Sequence, residues 1–413
     1  MAKTKLSQRT YGLPVNPKIG ATIFYSAFAL YTLYILIGST GYEAVLTNVL
    51  AGHFDLFHFL RLVIWGLLGI KLLLQRYKLS HLLVSFIFIA LFLATWHYAG
   101  RGLEFLLFIA AGQSIKVRRL AQIALPLTAI LVVATLIGSF TGVIDNVQIA
   151  SDLQENPAGR NSLGFEHPNT FGSFIFAIVL AWLVINYRTI NIVNTVIVLC
   201  GAVVVFAVSE SETYTIAILL AGLLHICSQK LPARLLASGS LIATAAISAF
   251  SFYAMFTFDP KVPWWNTLDS VLSHRLTLAR HYFHIFPNTL FGQSFESTNI
   301  SWFPSANGRL VVDNVFSHLW LQYGIVSAVV FLVLLLAIFV KSFRENRWNE
   351  ASFGILLFVI VGFAEATSIN FSENYFLIAA SALIFGASLR SLEMPRTYKT
   401  KQSSIISGEN PDE

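Results

Sequence analysis

Two arginines stand ahead of similar polar segments, and arginine is well suited to binding phosphate. Arg160 is followed by eleven residues and Gly172, Arg280 by eleven residues and Gly292, and each stretch contains Pro-Asn-Thr. A planar guanidinium can bind a phosphate through two parallel hydrogen bonds. The two segments could therefore bind the two ends of one anionic ligand. Pro-Asn-Thr is, however, also a common turn or helix-start sequence.

The first segment has a second feature that favours an anion. Pro168 and Asn169 suit the first positions of a helix, because proline is tolerated where helix N–H groups have no partner. A helix start beside Arg160 would add its free N–H groups and its dipole to the guanidinium charge. The structural alternative is that each arginine contacts lipid headgroups or forms an ion pair.

A third polar stretch contains groups able to move a proton. Asp313 stands at the predicted boundary between a loop and a helix, followed by Asn314, and His318 lies five residues further on. A carboxylate at such a boundary can be a general base or simply a helix N-cap, since both roles use the same position. Glu166 and His167 lie within the first arginine segment, and Glu373 lies in a later polar stretch.

The elements that position these residues are predicted from composition. Hydrophobic residues make up 56% of the chain and charged residues 12%, with a mean hydropathy of +0.68, whereas about 25% of an ordinary soluble domain is charged. The chain is therefore predicted to be an all-α integral membrane protein with about twelve transmembrane helices. The predicted spans lie near residues 20–38, 56–74, 81–97, 102–115, 120–139, 169–186, 190–208, 213–228, 235–256, 315–340, 351–366 and 375–390.

Orientation follows from the distribution of the 27 Lys and Arg residues, most of which fall on one side of these spans. Positive residues favour the cytoplasmic side, so both termini are predicted to be cytoplasmic and the long loops 139–168 and 257–314 extracytoplasmic. Residues 1–390 form one polytopic membrane domain, and residues 391–413 are predicted to be a disordered cytoplasmic tail. The net charge of +6 is explained by topology and indicates no nucleic-acid partner.

The three polar segments, in this order and on one side of the membrane, resemble the O-antigen polymerase and ligase superfamily, particularly the Wzy-type polysaccharide polymerases. The resemblance covers roughly residues 100–390 and is carried by residues 160–172, 275–292 and 313–324, the last leading into a long apolar span. It implies a GT-C-like architecture in the cytoplasmic membrane of a bacterium. The implied reaction, at the outer leaflet, transfers glycan from a polyprenyl diphosphate carrier to a sugar hydroxyl and builds capsule, exopolysaccharide or O-antigen.

The resemblance also implies roles for residues. Arg160 and Arg280 look like the paired arginines of the polymerases, but each spacing to glycine is one residue longer than usual, so Arg275 remains a rival to Arg280. Related ligases have His-Asn where this chain has Asp313 and Asn314, which favours a polymerase. The implied partners are the polyprenyl-diphosphate-linked glycan and membrane lipid, with chain-length regulator and flippase proteins as candidates.

The chemistry of the residues agrees with this implication. Arginines can stabilise a diphosphate leaving group without a metal, and the sequence has no outer cluster with metal-ligand spacing, so we expect metal-independent catalysis without a cofactor. The acceptor hydroxyl needs a base. The candidate bases are Asp313, His318, Glu166, His167 and Glu373. The candidate acceptor-binding residues are Asn314, Glu373 and Trp302.

These assignments compete with structural ones and with other functions. The histidines could be hydrogen-bonded structural residues, Glu373 a solvated loop residue, and Trp302 a marker of the membrane interface. A ligase that delivers finished glycan to lipid, protein or wall polymer is the alternative enzyme. A flippase or transporter is the non-enzymatic alternative, but such proteins usually carry polar groups near the midplane of related halves, whereas here they gather in loops.

Overall fold

A computed structural model describes residues 17–50, 55–100, 102–149, 160–295 and 312–393. Within them the regular secondary structure is helical except for a two-stranded antiparallel hairpin, β1 (Gln148–Ile149) and β2 (Arg160–Asn161), and an isolated antiparallel bridge between Thr40 and Phe165. The helices are α1 (Pro17–Gly38), α2 (Tyr42–Val49), α3 (Leu56–Leu73), α4 (Leu79–Ala99), α5 (Glu104–Ala110), α6 (Val117–Phe140), α7 (Pro168–Ile185), α8 (Ile192–Ser209), α9 (Glu212–Lys230), α10 (Ala233–Thr257), α11 (Pro263–Val271), α12 (Arg275–Ile285), α13 (Val315–Gln322), α14 (Gly324–Arg344), α15 (Glu350–Gly362) and α16 (Ala379–Ile384). Three short 3-10 turns cover Ala366–Ile369, Tyr375–Ile378 and Leu389–Leu392.

Eight of these helices are long and apolar enough to cross a membrane: α1, α3, α4, α6, α7, α8, α10 and α14. A helix satisfies its own backbone hydrogen bonds, which is why long apolar runs fold this way where water is absent. The prediction of an all-helical chain is confirmed, and its eight long apolar helices are compatible with a multi-pass membrane protein. The count of about twelve spans stays a prediction.

One end of the bundle gathers the polar segments. Past the end of α1, Gly41 N–H donates to Gly164 O at 2.8 Å, and Glu166 N–H donates to Ser39 O at 3.1 Å. These bonds place the chain that leaves α1 against the chain that enters α7. We call this end, where α1, α6 and α8 finish and α7 and α9 begin, the site end.

The segment predicted as the fourth span contains only a short helix. Helix α5 has seven residues, which at 1.5 Å per residue is about 10 Å long. Before it, Leu103 N–H donates to Thr95 Oγ1 near the end of α4, and after it Gln113 N–H donates to Gln75 Oε1 just past α3. The predicted continuous helix over 102–115 is therefore wrong, because helix covers only Glu104–Ala110 and the backbone on both sides of it is irregular or forms turns. Such backbone is tolerated at membrane depth only inside protein, and six of the seven residues of α5 are buried.

The long span predicted over 315–340 is broken between α13 and α14. Gly324 has a φ of +86°, and its neighbours leave no room for a side chain, since an added Cβ would lie 2.5 Å from Leu290 O. The N–H groups freed at the start of α14 donate to the preceding loop, from Ile325 to Thr289 O at 3.0 Å and from Val326 to Leu290 O at 3.1 Å. The Pro-Asn-Thr stretch that ends at Gly292 therefore supports a broken helix, whereas the similar stretch at 168–170 starts α7.

The loops predicted at the site end contain secondary structure of their own. The segment 139–168 carries the β1–β2 hairpin, and the segment 257–314 carries α11 and α12. Residues 296–311, which include the candidate Trp302, lie outside the described residues, as do residues 394–413 of the predicted tail.

Candidate functional site

A continuous chain of polar contacts joins five side chains at the site end. Arg160 Nη2 donates to Asn169 Oδ1 at 2.9 Å, and Asn169 Nδ2 donates to Glu365 Oε1 at 3.0 Å. The same carboxylate oxygen accepts from Arg275 Nη2 at 2.7 Å, and Arg275 Nε donates to Asp313 Oδ2 at 3.2 Å. We call Arg160, Asn169, Glu365, Arg275 and Asp313 the Arg160–Asp313 network. It brings two guanidinium and two carboxyl groups from distant parts of the sequence together.

Arg160 is held by the end of a helix as well as by the network. Its Nε and Nη2 donate to Ser209 O at 2.9 and 2.5 Å, at the carboxyl end of α8, where carbonyls lack helical partners. Burial lowers the pKa of the Arg160 guanidinium, and the negative charges of Glu210 and Glu365 oppose that effect. These bonds to Ser209 O give Arg160 a capping role at the end of α8.

The start of α7 places Asn169 in the network. The helix begins at Pro168 as predicted, with His167 as its N-cap, and His167 Nδ1 accepts from Asn169 N–H at 3.1 Å. Partial desolvation, followed by the charges of Arg160 and Arg275, lowers the pKa of His167 to about 4, while part of the side chain stays exposed. His167 is therefore neutral at pH 7, with its Nδ1 used as an acceptor, and the nearby guanidiniums disfavour its protonated form.

A strained turn positions Arg275 at the start of α12. Ser273 and His274, the two residues before it, have φ values of 52° and 62°, which side-chain-bearing residues rarely adopt. The buried carboxylate of Asp269 stabilises this turn. Its Oδ1 accepts from two N–H groups of the first turn of α12 at 2.9 and 3.0 Å, and its Oδ2 lies 3.3 Å from His274 Nδ1. Arg275 Nη1 also donates to Thr213 Oγ1 at 3.3 Å, at the start of α9.

The two carboxyl groups of the network share the Arg275 guanidinium but differ in environment. The Glu365 side chain is 10% exposed, and that of Asp313 is 25% exposed. Burial raises the pKa of Glu365 to about 8, with Arg275 opposing and Asp313 reinforcing the shift. Burial also raises the pKa of Asp313, against the opposing effect of Arg275. Two carboxyls beside one cation titrate as a coupled pair, so one of them holds a proton readily near neutral pH.

The N-cap of α13 is Asn314, so the interpretation of Asp313 as a simple helix cap is wrong. Asn314 Oδ1 accepts from the N–H groups of Phe316 and Ser317 at 3.0 and 3.1 Å. Its Nδ2 donates to Ser251 Oγ and to Phe363 O, both at 2.9 Å. Asn314 thus joins α13 to α10 and to the end of α15, and this leaves the Asp313 carboxylate for Arg275.

Arg280 does not join this network. Its Nη1 donates to the carbonyls of Met255 and Phe256 near the end of α10, and its Cζ lies 5.8 Å from the centre of the Phe283 ring. The structure therefore brings Arg160 together with Arg275, the residue that the sequence analysis gave as the rival to Arg280. Both Arg160 and Arg280 bind carbonyls near a helix end.

The remaining candidates lie around the network in different settings. Glu166 is exposed, next to His167. His318 lies one turn into α13, with its ring centre 5.6 Å from that of Tyr323. Glu373 is only 5% exposed, so its interpretation as a solvated loop residue is wrong. Its Oε2 is buried and accepts no hydrogen bond from the described residues, and burial raises its pKa to about 8.

Sequence reasoning missed Glu365 and Thr213 in the site. Glu365 fell within the apolar stretch 351–366, which was interpreted only as a span. A lone carboxylate in a predicted span is expensive and often functional, and that signal could have identified it. Within the described residues, no group of three or more His, Cys, Asp or Glu side chains is arranged to hold a metal ion.

Comparisons with protein-family models, with curated proteins and with solved structures find no match to this chain.

Proposed function

We propose that this protein is a membrane glycosyltransferase that polymerises polyprenyl-diphosphate-linked oligosaccharide repeat units into surface polysaccharide, at the outer leaflet of the cytoplasmic membrane. The observation that carries the proposal is the Arg160–Asp313 network. It combines two arginines with two carboxyl groups at one end of an apolar helical bundle, which are the groups this reaction needs: cations for the diphosphate and a base for the acceptor.

In this proposal Arg160 and Arg275 hold the diphosphate. The bond between the sugar C1 and the phosphate oxygen breaks, and the negative charge that develops on the departing diphosphate is stabilised by the guanidiniums. Arg275 replaces Arg280 in the pair because it shares the Glu365–Asn169 bridge with Arg160. When substrate binds, each guanidinium would exchange some of its hydrogen bonds to protein atoms for hydrogen bonds to the diphosphate.

Asp313 is the base in this proposal. It takes the proton of the acceptor hydroxyl as the oxygen of that hydroxyl forms a bond with C1. Of the two network carboxyls it is the more exposed, at 25% of its side chain, so an acceptor can reach it. The raised pKa of Asp313 makes it a stronger base than an ordinary aspartate. Glu365 is less exposed and is hydrogen-bonded to Asn169 and Arg275, so it orients the Arg275 guanidinium.

The distribution of charge supports an extracytoplasmic site. Among the described residues, most cationic side chains lie at the end of the bundle opposite the site end, such as Arg188 between α7 and α8 and Arg344 at the end of α14. The positive-inside tendency favours a cytoplasmic location for that end of the bundle. The site end would then face the leaflet where lipid-linked repeat units are polymerised.

The test is to delete the gene in its host and to size both the surface polysaccharide and the lipid-linked intermediates. We expect single repeat units in place of long chains, and complementation by the intact gene should restore the chains. Long chains that remain on their carrier would instead indicate a ligase, and repeat units trapped on the cytoplasmic side would indicate a flippase. Either of these outcomes would overturn the proposal.

A further inference from the structure

A second cationic centre lies at the site end and shares no residue with the Arg160–Asp313 network. Arg61 is the sixth residue of α3, about 8 Å inside the start of that helix. Its Cζ lies 5.4 Å from the ring centres of both Tyr34 on α1 and Trp96 on α4. The half-buried guanidinium is therefore flanked by aromatic rings from two neighbouring spans, near the depth at which lipid headgroups meet the hydrocarbon.

Two buried donors at this centre have no acceptor among the described residues. They are Arg61 Nε and Trp65 Nε1. The two residues are four positions apart on α3 and so lie on one face of the helix, and the Trp65 ring centre is 4.7 Å from that of Trp96. A buried donor without an acceptor costs free energy, so a ligand that brings acceptor oxygens to this face would be stabilised.

The charge of Arg61 is only partly compensated within the described part of the chain. Its Nη2 donates to the Tyr34 hydroxyl, and Glu104 attracts it at longer range. A cation within a spanning helix is costly and often marks a ligand site. Helix α3 borders the outer surface of the bundle, with Phe59 and Leu62 exposed on either side of Arg61, so a lipid can approach the centre from the side.

We propose that Arg61 and Trp65 form a binding site for the phosphate group of a membrane lipid, which enters between α1, α3 and α4. The guanidinium and the indole N–H donate to phosphate oxygens, and the rings of Tyr34 and Trp96 pack beside the headgroup. The phosphate can come from a phospholipid or from a polyprenyl phosphate. This site is separate from the proposed catalytic network and does not depend on the proposed function.

The experiment measures lipid binding to the purified full-length protein in neutral detergent, by native mass spectrometry during titration. The probes are phosphatidylglycerol, a polyprenyl phosphate, inorganic phosphate, and diacylglycerol as a lipid without phosphate. We expect Arg61→Gln to weaken binding of at least one phosphate-bearing lipid by about tenfold or more, as charge-assisted hydrogen bonds predict. Whichever of the two lipids shows the larger loss identifies the source of the phosphate.

Two further variants keep the proposal testable if Arg61→Gln folds poorly. Trp65→Phe keeps an aromatic ring at this position but removes the indole N–H, and it should weaken binding by roughly threefold, the effect of a modest hydrogen bond. Arg188→Gln removes one charge at the opposite end of the bundle and should leave binding unchanged.

Unchanged lipid affinity in both Arg61→Gln and Trp65→Phe would overturn the proposal and leave Arg61 as a structural cation. Equal binding of diacylglycerol, or binding of inorganic phosphate but of neither lipid, would also overturn it. If Arg160→Gln lost the same bound lipid and Arg61→Gln retained it fully, the binding site would be assigned to the Arg160–Asp313 network instead. None of these readouts requires polymerase activity, so failure of the proposed function would not be mistaken for failure of this site.

Discussion

Arg275 and Glu365 form a 2.7 Å ion pair although 90 positions of sequence separate them. The pair joins the start of α12 to the short segment between α15 and the 3-10 turn at Ala366–Ile369. Glu365 also binds Asn169, which in turn binds Arg160. The ion pair between Arg275 and Glu365 therefore determines that Arg275, and not Arg280, lies in the same network as Arg160.

Lysine substitution should separate Arg275 from Arg280. An ammonium cannot reproduce the planar fork of a guanidinium, so we expect Arg275→Lys and Arg160→Lys to reduce the polymerisation rate of the purified protein by about 10²–10³-fold, as for the loss of other preorganised donors. Arg280→Lys is the matched control and should stay within about threefold of the native rate. A severe defect in Arg280→Lys beside a normal Arg275→Lys would restore the pairing of Arg160 with Arg280.

Asp313→Asn should abolish proton abstraction while preserving the fold. Because Asn314 caps α13, the substitution removes the basic carboxylate without removing a helix cap. We expect the variant to bind polyprenyl-diphosphate glycan yet to extend it at least about a hundredfold more slowly, the usual contribution of a general base. Turnover close to the native rate would exclude Asp313 and shift attention to His167, Glu166, His318 and Glu373.

Asp269 should act as a positioning residue for Arg275. Asp269→Ala removes the acceptor that holds the strained turn at Ser273 and His274, and a misplacement of about 1 Å can cost about 10²-fold in rate. We expect kcat to fall by about that factor while the KM for the acceptor changes little. Asp259→Ala, in an exposed turn, is the control. If Asp269→Ala lowered only thermal stability, the carboxylate would have a structural role alone.

The buried Glu373 should make stability depend on pH. Its folded pKa of about 8 exceeds an unfolded value of about 4.3, so the folded protein binds the extra proton in between. This contribution to stability is complete below the unfolded pKa and is lost as the pH rises from about 4 to about 8. We expect the Tm of the native protein to fall across this window. The Tm of Glu373→Gln should fall less, because the glutamine side chain resembles the protonated acid. An equally steep decline in Glu373→Gln and in the exposed-site control Glu212→Gln would assign the effect to other groups.

Cysteine labelling should report the orientation of the bundle. In a background with Cys200 and Cys227 replaced by alanine, Val143→Cys lies in an exposed position at the site end, and Ile190→Cys lies in an exposed position at the other end. A membrane-impermeant thiol reagent applied to intact cells should modify Val143→Cys and leave Ile190→Cys unmodified until the membrane is opened. The reverse pattern would place the site on the cytoplasmic side and contradict the proposed reaction.

The amino-acid sequence by itself determined the features that depend on neighbouring residues. Long apolar runs must satisfy their own backbone hydrogen bonds away from water, and helices such as α1, α3 and α6 accordingly follow the predicted spans within a few residues. The start of α7 at Pro168 was predictable because proline fits only certain helix positions.

Tertiary structure alone decided the composition of the site. The local pattern favoured Arg280, but the left-handed turn at Ser273 and His274 directs the start of α12, and with it Arg275, to Glu365. Glu365 was interpreted only as a span residue, and Glu373 as a candidate base or acceptor-binding residue with a solvated loop residue as the alternative, yet both are buried at the site end. Contacts between segments so far apart depend on how broken and continuous helices pack, and local residue preferences do not encode that packing.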